Sequence, residues 1–90
     1  MQKAVQIIYK GRVQGVGFRF TAVDLASKFK VTGYVMNSHD GNVEVVAEGE
    51  AEAVNNYIAA LNEQMARFIH SSVINPMPYT GQYRSFRIKY

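Results

Sequence analysis

With 90 residues, 48% of them hydrophobic, the chain suits one globular domain with a single core and has no room for a second. It has no cysteine, which excludes disulfides and thiolate metal sites, and no apolar run approaches the length of a membrane span or a signal-peptide core. The formal net charge is only +3, so a single cytoplasmic domain over residues 1–90, with no membrane partner, is expected.

Residues 3 to 10 alternate as a strand, with Val5, Ile7 and Tyr9 on one face and Ala4, Gln6, Ile8 and Lys10 on the other. Gly11-Arg12-Val13-Gln14-Gly15-Val16-Gly17-Phe18-Arg19 then interrupts the pattern with three glycines and leads into helical spacing. Glycines allow positive φ and close approach of the main chain, so consecutive N–H groups can converge on one anion. The following helix start adds unpartnered N–H groups, and Arg19 adds a planar fork of donors that can grip two phosphate oxygens. Two readings fit these residues: an anion cradle, or a plain strand-to-helix turn with Arg19 solvated. A Rossmann fingerprint on Gly15 and Gly17 is excluded by Phe20, and a Walker loop by the missing Gly-Lys pair.

From Phe18 to Phe29 the residues Phe18, Ala22, Leu25, Ala26 and Phe29 recur at helical spacing, and Lys28 and Lys30 complement the helix dipole at its end. A second strand is expected over residues 31–37 and a third over 42–48, with Val43, Val45 and Ala47 on one face. Ser38-His39-Asp40-Gly41 supplies the hairpin between them. Glu50 to Met65 reads as a second helix with Val54, Ile58, Leu61 and Met65 as its core stripe. Phe68 to Ile74 is expected as a fourth strand. Residues 75–81, with Pro76 and Pro78, are expected as loop because proline does not fit a central strand. Phe86, Ile88 and Tyr90 alternate with Arg87 and Lys89 in a final strand.

The order strand, helix, strand, strand, helix, strand, with two right-handed crossovers, predicts a ferredoxin-like α/β sandwich. This is an α+β fold of βαββαβ order with an antiparallel sheet and both helices on one face. Such a fold hosts many functions and does not choose among them. Charge is uneven: Lys3, Lys10, Arg12, Arg19, Lys28 and Lys30 crowd the first third, and residues 31–66 contain no basic residue. If the ends of the chain share a sheet, one side of the molecule is basic and attracts small anions or nucleic acid.

Gly11-Arg-Val-Gln-Gly-Val-Gly-Phe-Arg19, Gly33-Tyr-Val-Met-Asn37 followed by Asp40-Gly-Asn-Val-Glu44, and the terminal Phe86-Arg-Ile-Lys-Tyr90 together resemble the acylphosphatase family across nearly the whole chain. The resemblance implies hydrolysis of small acyl phosphates without metal or cofactor. It makes Arg19 the phosphate-binding arginine, the backbone from Gln14 through Gly15, Val16 and Gly17 to Phe18 the cradle, and Asn37 the residue that positions the attacking water. Members often carry tryptophan at the place of Tyr34 and arginine at that of Met36, departures that bear on the rim of the site or on substrate preference. Residues 64–81 match poorly.

The chemistry is consistent with the residues. The leaving group is a carboxylate, a weak base, so no strong general acid is needed, and phosphoryl transfer asks mainly for positioning and charge stabilisation. Asn37 can accept from water and donate to phosphate, but its amide is no base, which leaves a phosphate oxygen to take the proton. Its competing reading is a turn-forming Asn at the start of the hairpin. His39 and His70 lack carboxylates at ligand spacing, so no metal site is expected. Asp24 and Asp40 read as a solvated helix residue and a turn former, and Tyr90 as a tie on the last strand.

Two other functions compete. Gly17-Phe18-Arg19-Phe20 faintly resembles part of an RNA-recognition signature, but its aromatics fall at a helix start and not on the sheet, so no nucleic-acid partner is expected. A non-catalytic phosphate or carbamoyl-phosphate binding module, like the acylphosphatase-like domains of larger hydrogenase-maturation proteins, would use the same cradle. A monomer acting on a small-molecule acyl phosphate is favoured.

Overall fold

The computed structural model describes all residues from 1 to 90. Its elements are β1 (Gln2–Gly11), α1 (Phe18–Phe29), β2 (Thr32–Asn37), β3 (Val43–Glu50), α2 (Ala51–Gln64), β4 (Ile69–Met77) and β5 (Phe86–Ile88). The strands form one sheet in the order β4-β1-β3-β2-β5. Both helices pack on the same face, where Val5, Ile7, Tyr9, Val35, Val43, Val45 and Ala47 meet Phe18, Ala22, Leu25, Val54 and Leu61 in one core. Burial of each large apolar side chain there contributes about 1.5–3 kcal/mol, and the period-two and helical patterns of the sequence select these residues for it.

The sheet is mixed, which corrects the expectation of an antiparallel one. Four strands pair antiparallel, whereas β5 lies parallel to β2 with Gly33 opposite Phe86 and Val35 opposite Ile88. The reason is the path of residues 78–85. They leave β4 at one edge, cross the face away from the helices, and enter β5 at the other edge from the same end of the sheet. Glu48, only 2% exposed, holds this strap: its carboxylate accepts from Thr80 N–H at 3.0 Å, Thr80 Oγ1 at 2.8 Å and Gly81 N–H at 2.9 Å.

Strand β4 runs through Asn75, Pro76 and Met77, residues expected as loop. It is an edge strand, so only one side of its backbone joins the ladder and a residue without N–H is tolerated. On α2 the fully buried residues are Val54, Tyr57 and Leu61, with Ile58, expected in the stripe, only half-buried. Tyr57 turns inward because its hydroxyl donates to the Ala22 carbonyl at 2.9 Å, joining the two helices. Tyr9 likewise donates to Asn62 Oδ1 at 2.8 Å, and burial pushes both phenols above their ordinary range. No helix is long and apolar enough to cross a membrane.

Candidate active site

Strands β1 and β2 both end at the same end of the sheet, separated by β3, so their exits stand about 10 Å apart. A cavity of about 230 Å³ opens there, lined by Val13, Gly15, Gly17, Phe18, Arg19, Phe20 and Asn37. Val13 is fully buried and anchors the loop to the core. Gly15 and Gly17 have φ of 76° and 81°, left-handed values that strain any residue with a Cβ. Gly17 caps α1 without a side-chain hydrogen bond. The first N–H groups of that helix therefore face the cavity end without a capping oxygen, at the positive end of its dipole.

Arg19, half-buried on the first turn of α1, has no carboxylate partner; the ion pairs of the structure join the N-terminus to Glu50 and Lys28 to Asp24. Its Cζ lies 5.6 Å from the centroid of the Tyr90 ring. Tyr90 stands beyond β5 and is 94% exposed, so its contact is with Arg19 and not with a strand partner. Asn37 is the last residue of β2, and its Oδ1 is buried with no hydrogen-bond partner in the protein. Buried acceptors are rarely left unsatisfied, and this one belongs to a side chain that lines the cavity beside Arg19.

Of the residues expected from sequence, Gly15, Gly17, Phe18, Arg19 and Asn37 are brought together around this cavity, whereas Gln14 and Val16 do not line it. The Gln14 side chain donates instead to the carbonyls of Ser38 and Asn42, at 2.9 and 2.8 Å. Val13 and Phe20 were not expected as lining residues. Val13 shares its residue type with Val16 in the same loop, so sequence did not single it out, and Phe20, 72% exposed at the rim, carried no signal. Neither Tyr34 nor Met36 lines the cavity. Tyr34 lies on the strap side, its ring 6.1 Å from that of Tyr83 and 4.6 Å from Lys89 Nζ, and burial with the nearby Glu44 carboxylate pushes its phenol up to about 12. His39 lies exposed in the β2–β3 turn and His70 on β4.

Fold and cavity together define a ferredoxin-like α+β sandwich with a cavity lined by glycines, Arg19 and Asn37 where the first strand turns into the first helix. The acylphosphatase family model matches residues 5–88. An acylphosphatase from Caldanaerobacter subterraneus is 38% identical over 90 residues, covering 98% of this chain and 99% of its own. The crystal structure of acylphosphatase from Bacillus subtilis superposes with a TM-score of 0.87 at 32% identity over the full length of both chains. HypF of T. kodakarensis is similar with a TM-score of 0.84 and 32% identity, over 98% of this chain and 12% of that one. The chain belongs to the acylphosphatase family, a family of enzymes.

Proposed function

We propose that this protein hydrolyses the carboxyl-phosphate anhydride of small acyl phosphates, with Arg19 and the loop from Gln14 to Phe18 holding the phosphate and Asn37 holding the attacking water. One observation carries the assignment of roles: the unpartnered, buried Oδ1 of Asn37 shares a cavity with Arg19 and with the uncapped start of α1. The water oxygen attacks phosphorus, and the bond from phosphorus to the acyl oxygen breaks. The electron pair leaves with the carboxylate, and the water's proton passes to a phosphate oxygen. Arg19 and the backbone N–H groups stabilise the charge that builds on the equatorial oxygens. The reaction as written needs no metal, cofactor or nucleic acid, and a cytoplasmic monomer suffices for it.

The test is hydrolysis of benzoyl phosphate with and without a chelator. Turnover should resist the chelator. Arg19→Ala should lose both phosphate affinity and turnover, the latter by about 10²–10³-fold, and Asn37→Ala should lose turnover by about 10²-fold while still binding inorganic phosphate. Near-normal turnover in the Asn37 variant would sink its role. The likeness to a small part of HypF supports a second reading, a phosphate or carbamoyl-phosphate binding module. That reading would take over if the protein bound phosphate at the loop without turnover.

A further inference from the structure

Beside the cradle, at the same end of the sheet, lies a second hollow of about 430 Å³ lined by Gly11, Arg12, Arg67, Phe68, Ile69 and His70. Its frame is backbone. A Cβ on Gly11 would come 2.5 Å from the Phe68 carbonyl oxygen and 2.6 Å from His70 N, so only glycine lets the end of β1 approach the start of β4 this closely. The Arg12 N–H donates to the Phe68 carbonyl at 2.9 Å, and the Arg67 guanidinium sits 5.8 Å from the Phe68 ring centroid. Two exposed arginines thus line one hollow, and neither is among the ion pairs of the structure.

The hollow is continuous with the cradle along the chain. Gly11 and Arg12 line one, the next residue Val13 lines the other, and the Cα atoms of Arg12 and Gly15 are at most about 11 Å apart. A substrate whose phosphate sits in the cradle must send its acyl chain out across the rim, and the neighbouring hollow is lined by two arginines without anion partners. Guanidinium forks are matched by planar or tetrahedral oxyanions.

We propose that this hollow is a subsite for a second oxyanion, carboxylate or phosphate, on the acyl half of the substrate, so that the site prefers acyl phosphates charged at both ends. The inference rests on the acylphosphatase reading. Adipoyl phosphate and hexanoyl phosphate share a carbon chain and differ only in the distal carboxylate, and kcat/KM for the pair tests it. At low ionic strength the adipoyl compound should be favoured about tenfold, with the advantage shrinking as salt is added. The Arg12→Gln/Arg67→Gln double variant should bring the ratio close to unity while hydrolysing hexanoyl phosphate within about twofold of the parent protein. A ratio near unity in the parent protein, or one unchanged in the variant, overturns the subsite.

A second measurement separates this from the underlying reading. Calorimetric binding of 6-phosphonohexanoate and of hexylphosphonate needs no turnover. Tighter binding of the carboxylated compound, lost in the double variant and accompanied by shifts of the Arg67 and His70 amide resonances, supports the subsite even if hexanoyl phosphate is not hydrolysed. Equal affinity for the two overturns it even if hydrolysis is fast.

Discussion

One amide group, Nε2 of Gln14, reaches the carbonyls of Ser38 and Asn42 and ties the loop after β1 to the turn after β2. Because Asn37 immediately precedes that turn, Gln14 sets the distance between the loop N–H groups and the Asn37 amide, and small misplacements of reacting groups are costly in rate. Gln14→Ala should lower kcat for benzoyl phosphate by at least about tenfold with a smaller change in KM. An unchanged kcat would show that the loop holds its place without this tie. Arg19 was legible as a candidate from its residue type after a glycine loop, whereas Asn37 entered through the resemblance of its motif to the acylphosphatase family, since alone it reads as a turn-forming Asn. The tie was not legible: its acceptors are main-chain carbonyls 24 and 28 residues further along the chain, and a carbonyl has no sequence signature.

Among the elements, the β2–β3 hairpin carries a pH dependence. The Asp40 carboxylate accepts from Ser38 Oγ at 2.6 Å and from the Asn42 N–H at 3.2 Å, and these bonds hold it below its ordinary 3.8. A carboxyl lowered on folding is protonated first in the unfolded chain. Its contribution is therefore whole above about pH 3.8 and is lost as the pH falls through the folded value. Thermal unfolding of the parent protein and Asp40→Asn should differ at about pH 6 and converge as the pH drops below about 4; a constant difference would assign the loss to geometry and not to charge. The turn itself was legible from Asp40-Gly41. The ends of β4 and the inward side of α2 were less so: Pro76 forbids only a central position, and helical spacing from Val54 admits both Tyr57 and Ile58, between which the contact with Ala22 on α1 decides.

At the scale of the molecule, β4 and β5 occupy opposite edges of the sheet, about 19 Å apart across four strand spacings. Residues 78–85 span that gap, and Glu48 on the central β3 grips them with three hydrogen bonds. The chain beyond the strap carries β5 and then Tyr90, whose ring lies beside Arg19. Glu48→Ala removes a buried charged acceptor from three donors of the strap and should cost about 1–3 kcal/mol, lowering Tm by roughly 5–20 °C. Retention of the parent Tm would show that apolar contacts alone hold the strap. The same variant should raise KM for benzoyl phosphate through looser placement of the C-terminal residues.

The sequence by itself determined the element order, the inward faces of β1, β3 and α1, the α+β class and the two motifs that contain Arg19 and Asn37. The first three rest on local periodicity and short-range turn chemistry, and the meaning of the motifs rests on residue chemistry at the glycine loop and on their resemblance to the family. Tertiary structure alone decided the parallel placement of β5, the buried clasp of Glu48, the tie from Gln14 and the placing of Arg12 and Arg67 around one hollow. These depend on which distant segments share an end or a face of the sheet. Main-chain hydrogen bonding and the crossing of one strap set that arrangement, and neither leaves a periodic trace in the chain.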